Sequence, residues 1–218
     1  PLIFILLWSS AFITTKPIID NSDPFSALAF RFFFVAIGFF LFSIYSKLSI
    51  FISRRNLIES ILSGVLFHGF YLGGVFYSIS IGMPTGIAAL IVTLQPVLTN
   101  ALSGPILGEK VTAKQWIGVL LGFIGAAIVL GFDIGSDIPL LGLIATIIAL
   151  IAITTSTIWQ KKLSNNLPLS VSNFYQAVGG CFFHILVVIF FSKPYIAFTK
   201  TFFLAMSHQI LLVSFGAF

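Results

Sequence analysis

The chain has 218 residues, of which 58% are apolar and 8% charged, with a formal charge of +5 and a mean hydropathy of +1.12. A soluble domain is roughly a quarter charged, so this composition excludes a water-covered surface and points to a protein dissolved in lipid. The basic residues stand singly or in pairs between apolar runs, which excludes a nucleic-acid groove and makes them markers of topology.

The apolar runs are unbroken and of helix length, not short and alternating, so a β-barrel is excluded and the fold class is an all-α polytopic transmembrane bundle. About 20 residues are needed to cross about 30 Å of hydrocarbon. The first span runs near 1–16 and the second near 24–46, opening at Pro24. From Ser60 to Gly108 there is no Asp, Glu, Lys or Arg, a length that must hold two helices. Gly82 suits the end of one and Pro84 the first turn of the next, giving spans near 57–81 and 84–106. Further spans follow near 112–131, 138–160 and 168–191, and an eighth starts near 202. The chain opens at Pro1 inside an apolar run and stops within the eighth span, so it reads as a fragment without a cleaved leader.

Alternate loops carry Lys47, Arg54 and Arg55, then Lys110 and Lys114, then Lys161 and Lys162. The positive-inside rule makes that side cytoplasmic and places the N-terminus there, although Lys16, Lys193 and Lys200 lie opposite. Span two opens on Pro24, Ser26 and Phe30, and span seven repeats them in register as Pro168, Ser170 and Phe174. An offset of five spans is odd, so the second copy sits upside down: an inverted repeat, as many transporters have.

Polar residues within the spans nominate a site. Arg31 sits about two turns, about 10 Å, below the end of span two, where a charge needs a partner or a wet cavity. It is either a counter-charge for a carboxylate or phosphate on a substrate, or a snorkelling interface residue. Span three places His68, Tyr71 and Ser78 near one face, and span four places Gln95, Thr99 and Ser103 at i, i+4 steps. Pro96 frees a backbone carbonyl within span four. Span seven adds Tyr175, Gln176, Gly180 and His184. Each has an ordinary alternative as an interhelical hydrogen bond; together they predict a polar cavity. Trp8 is a candidate wall, whereas Trp159 beside Lys161 suits an interface anchor.

In this reading no span holds an Asp or Glu, which leaves His68, His184 and His208 as the titratable groups, or no proton coupling at all. They are too dispersed for a metal site, no motif asks for a cofactor, and Cys181, alone, forms no intrachain disulfide. Gly118, Gly122 and Ala126, with Gly125 beside them, form a small-residue stripe on span five that favours close packing within the fold, or alternatively a homodimer contact. Thr112 with Gln115 makes a capping box for span five, and Glu109 beside it reads as a turn and helix-start residue.

The tight pair of spans around Gly82-Met83-Pro84, Gln95-Pro96 in span four, Gly108-Glu109-Lys110-Val111-Thr112 and Gln115-Trp116-Ile117-Gly118 together resemble the EamA-type family of the drug/metabolite transporter superfamily. Trp8-Ser9-Ser10 and the stretch from Ala27 to Phe32 resemble its first repeat. The resemblance implies ten helices in two inverted halves, with residues 1–131 as the first five-helix repeat and 138–218 as three helices of a truncated second. It also implies a secondary carrier of small organic metabolites in the cytoplasmic membrane. A channel is the second reading, although no filter or charged ring repeats. An enzyme is disfavoured, since H-E-x-x-H, G-x-S-x-G and a paired intramembrane carboxylate are all missing.

Overall fold

The computed structural model describes residues 2–108, 112–129, 138–163 and 167–216. Hydrocarbon offers no hydrogen-bond partners, so each span must satisfy its own backbone, and each one is helical. In chain order these are α1 (Leu2–Ile19), α2 (Pro24–Tyr45), α3 (Arg54–Ser80), α4 (two pieces, Thr85–Val92 and Gln95–Leu107), α5 (Ala113–Val129), α6 (Leu140–Leu163), α7 (Leu169–Phe191) and α8 (Lys200–Phe215). Among them α2, α3, α4, α6 and α7 are long and apolar enough to cross a bilayer, while α1, α5 and α8 are shorter apolar helices. This is a multi-pass membrane protein.

Local chemistry sets the boundaries. The Asp23 carboxylate accepts from the Ser26 amide at 2.7 Å and Pro24 takes the first turn, which starts α2. Ser53 accepts from the Asn56 amide at 3.2 Å and starts α3 earlier than expected. Glu59, inside the expected bounds 57–81, lies in the first turns of α3 and pairs with Arg55 at 2.8 Å, so the expectation that no span holds a carboxylate is corrected. Gly82 (φ 99°) and Gly108 (φ 70°) end α3 and α4 in the left-handed region that favours glycine. The predicted capping box is formed: the Thr112 amide donates to Gln115 Oε1 at 2.8 Å, and the Gln115 amide to Thr112 Oγ1 at 3.4 Å. Glu109 lies outside the described residues.

Two departures concern helix interiors. Pro96 is not inside a continuous α4. The helix turns out at Thr93 and Leu94 and restarts at Gln95, which puts Pro96 in a first turn where its missing N–H costs nothing. In addition, Val65–Tyr71 of α3 and His208–Phe215 of α8 are π-helical, a rare widening of the helix that is frequent at functional sites.

The helices pack around α2 and α7, which run antiparallel. Asp23 at the start of α2 accepts from Ser192 just beyond the end of α7, Ala29 faces Cys181, and Phe40 near the end of α2 meets Phe174 near the start of α7. Small residues bring α3 onto α7: a Cβ on Gly64 would lie 2.1 Å from the Gln176 carbonyl oxygen, and one on Gly179 2.5 Å from that of Ile61. One apolar core joins Ile18, Leu28, Phe32, Phe76, Ala177 and Phe202; a second joins Tyr71, Val75, Met83, Ala149 and Ile153. The expected close packing by the stripe on α5 is not found. Among the described residues no atom lies within 4 Å of a Cβ placed on Gly118, Gly122 or Gly125, and Gly118 and Gly122 face a gap of about 460 Å³ toward Thr93, Pro96 and Asn100. The side chain of Ala126 lies outside the described residues.

At the Asp23 end of the bundle, the α1–α2 loop pairs with the segment joining α7 to α8. Ser22 and Ile196 form an antiparallel bridge, the Asp23 amide donates to the Tyr195 carbonyl at 2.9 Å and the Ala197 amide to the Asn21 carbonyl at 2.8 Å. The Thr199 hydroxyl reaches Asn21 Oδ1 at 2.9 Å.

Candidate functional site

The Asp23 cap and Pro24 fix where α2 begins, and two turns later Arg31 points into the bundle, with 4% of its surface exposed. A guanidinium held there needs hydrogen-bond acceptors, and α8 supplies them. Arg31 Nη1 donates to Gln209 Oε1 at 2.5 Å, and Nε and Nη2 donate to Ser214 Oγ at 3.2 and 3.0 Å. Both acceptors are neutral, so the positive charge is solvated without being cancelled. The guanidinium carbon also lies 5.4 Å from the centre of the Phe32 ring.

Gln209 is itself tied to α1: its amide nitrogen donates to the Ala11 carbonyl at 3.1 Å and to Thr14 and Thr15 hydroxyls at 3.2 Å each. The Ser214 hydroxyl donates to the Gln209 carbonyl five residues earlier at 3.0 Å. Residues five apart lie on different faces of an α-helix but meet in a π-helix, whose bonds run i to i+5. The irregular backbone of α8 is thus what aims both acceptors at Arg31.

Arg31 borders a cavity of about 40 Å³ whose walls include Trp8, Phe67, His68, Tyr71, Gln209 and Ser214. A larger cleft of about 580 Å³ lies against it, sharing Trp8, Phe12 and Phe67 and extending to Gln95, Thr157 and Gln160. Gln160 is one turn from the end of α6, so the cleft runs toward the Arg55 end of the bundle. Aromatic faces dominate the junction: Trp8 meets Phe67 edge-on at 6.1 Å, and Phe32 lies 4.3 Å from the His68 ring.

Of the predicted site residues, Trp8, Arg31, His68 and Tyr71 border the small cavity, and Trp8 and Gln95 border the cleft. Thr99 stands behind Gln95, which donates to it at 3.4 Å and to Thr157 at 3.2 Å. Gln176 accepts from Gln160 at 3.0 Å and donates to Ser172 at 3.0 Å, one layer back from the cleft. Tyr175 is not brought to the site. It is one residue from Gln176 and so on another helix face, and its hydroxyl donates to the Ile50 carbonyl at 3.0 Å in the α2–α3 loop. The side chain of Ser103 lies outside the described residues, and Ser78 is buried with its hydroxyl on the Val75 carbonyl. Trp159 lines a separate pocket near Arg55 and Glu59.

The histidines differ in surroundings. His184 Nε2 sits 2.9 Å from the His68 carbonyl and His208 Nε2 3.1 Å from Ser10 Oγ, while the Nδ1 atoms of all three are buried without a partner. No group of three metal-ligating side chains occurs among the described residues.

The EamA-like transporter family model matches residues 2–131. An uncharacterized transporter, YvbV of Bacillus subtilis (strain 168), is 24% identical over 172 residues, 74% of this chain and 55% of its own length. A probable amino-acid metabolite efflux pump of Escherichia coli (strain K12) is 25% identical over 166 residues, 76% of this chain and 53% of its own. The chain therefore spans about half the length of these curated relatives. A solved crystal structure of a protein superposes with a TM-score of 0.74 over 96% of this chain and 71% of its own at 19% identity, a likeness of fold alone. With the family model matching more than half of its length, the chain belongs to the EamA-like transporter family.

Proposed function

We propose that the full-length protein is a secondary transporter that carries a small organic metabolite across the cytoplasmic membrane by alternating access, and is not an enzyme. Residues 1–131 then form the first five-helix repeat and 138–218 three helices of an inverted second. The N-terminus and the Arg55 end face the cytoplasm, following the basic loops.

The observation that carries this reading is a buried, uncancelled Arg31 on the wall of an aromatic-lined cavity, next to His68 and Tyr71, in a chain of a transporter family. A charge kept inside a membrane is costly and therefore points to a ligand path. Alternating access draws support from the asymmetry of the bundle. The Asp23 end is tied by the Ser22–Ile196 bridge, whereas the cleft runs toward the opposite end. The efflux name of the Escherichia coli relative makes export the direction to test first.

Counterflow in proteoliposomes holding the full-length protein tests the proposal. Saturable uptake accelerated by trans substrate is expected; linear, uncoupled flux would assign a channel instead.

A further inference from the structure

Building on that transport reading, we infer that the Arg31 cavity is a receptor for one carboxylate group, and that the protein's substrates are small organic monocarboxylates with an apolar or aromatic body.

The hydrogen-bond inventory carries the first part. A guanidinium has five N–H donors in a fixed fork, and Arg31 spends one each from Nε, Nη1 and Nη2 on Gln209 and Ser214. Two donors, one on each terminal nitrogen, are left. His68 is 6% exposed and its Nδ1 is buried without a partner, while Tyr71, 2% exposed, borders the same cavity. His68 Nδ1 is one of several unpartnered buried polar atoms among the described residues, and the one that belongs to a wall residue of this cavity; an occupant there would offset the desolvation of its group. Among the described residues bordering the cavity and the cleft there is no Asp or Glu, so the one formal charge facing the cavity is positive.

Size and surroundings define the ligand further. A water needs about 10 to 15 Å³ of such space, so about 40 Å³ holds about three water-sized positions, which suits one small anionic group. The two terminal N–H donors left over match the two oxygens of a carboxylate in number. The adjoining wall of Trp8, Phe12 and Phe67 opens onto the much larger cleft, which takes the apolar remainder. Gln209 and Ser214 are positioning residues: they hold the fork toward the cavity without cancelling its charge.

The test is binding of four probes with the same phenyl body to the purified full-length protein, measured by titration calorimetry: 3-phenylpropionate, 3-phenylpropionamide, 2-phenylethylamine and 2-phenylethyl phosphate. The expected result is at least tenfold tighter binding of 3-phenylpropionate, ionised at neutral pH, than of each of the other three. Arg31→Gln is expected to bring the carboxylate down to the level of the amide. Ser214→Asp, which places an acid beside the guanidinium, is expected to abolish the same preference, and it covers the case in which Arg31→Gln fails to fold. Equal binding of carboxylate and amide by the wild type, tighter binding of the phosphate or amine, or no binding of any probe would each overturn the inference. Preference for the carboxylate that persists in both variants would overturn the role of Arg31. Counterflow of some other solute by the same preparation would leave the transport reading standing, so the two failures are separable.

Discussion

Removing the Gln209 amide would take away one of the two acceptors of Arg31 and cut the link between the guanidinium and α1. A hydrogen bond to a charged group is worth about 1.5 to 3 kcal/mol, so Gln209→Leu should lower the thermal midpoint in detergent by several degrees, read by scanning fluorimetry. An unchanged midpoint would mean that Arg31 finds another acceptor. Arg31, His68, Tyr71 and Gln95 were legible in the sequence as polar residues in apolar runs, where hydrocarbon forces each polar group toward a partner or a cavity. Gln209 and Ser214 stand out in the same way, but their spacing of five hides them from an α-helical face count, and only the π-helical turn of α8 brings them together. Tyr175 shows the opposite error. It was named with Gln176 among the polar residues of span seven, whereas neighbouring helix positions point about 100° apart, and its hydroxyl holds the Ile50 loop.

Elements were easiest to read where a physical rule acts on few residues. Gly82 with Pro84, Pro24 alone, and Thr112 with Gln115 each announce a helix end, and the structure uses all three, adding the Asp23 cap before Pro24. The interiors were harder. The break before Gln95 and the two π-helical stretches depend on tertiary partners and not on local preference. Glycine makes the contrast quantitative. Gly64 faces the Gln176 backbone with no space for a methyl group, so Gly64→Ala should push α3 from α7 and destabilise by about 1 to 3 kcal/mol. Gly118, in open space among the described residues, should tolerate alanine with no loss, or a small gain from helix propensity. Melting curves of the two variants side by side check this; equal loss in both would show that α5 is packed as tightly as α7. Thr112→Ala removes the cap of α5 and should cost about 1 kcal/mol, visible as earlier melting without a change in ligand affinity.

For the whole molecule, the antiparallel pairing of α2 with α7 joins early and late parts of the chain, and the Ser22–Ile196 bridge ties their loops at one end. If that end must open for transport, a covalent tie there should stop it. Directly paired residues of an antiparallel bridge are close enough for a disulfide. Ser22→Cys with Ile196→Cys, in a Cys181→Ala background, should therefore transport when reduced and stall when oxidised, with unaltered binding from the open side. Full activity after verified crosslinking would remove that end from the transport cycle. The central claim, that a buried uncancelled arginine marks the substrate path of a carrier, is tested most directly by counterflow of 3-phenylpropionate in proteoliposomes of the full-length protein and its Arg31→Gln variant. The account predicts saturable, trans-stimulated flux in the wild type and at least a tenfold loss in the variant at equal folded amount; flux that is linear in concentration, or saturable flux unaffected by the substitution, would contradict it.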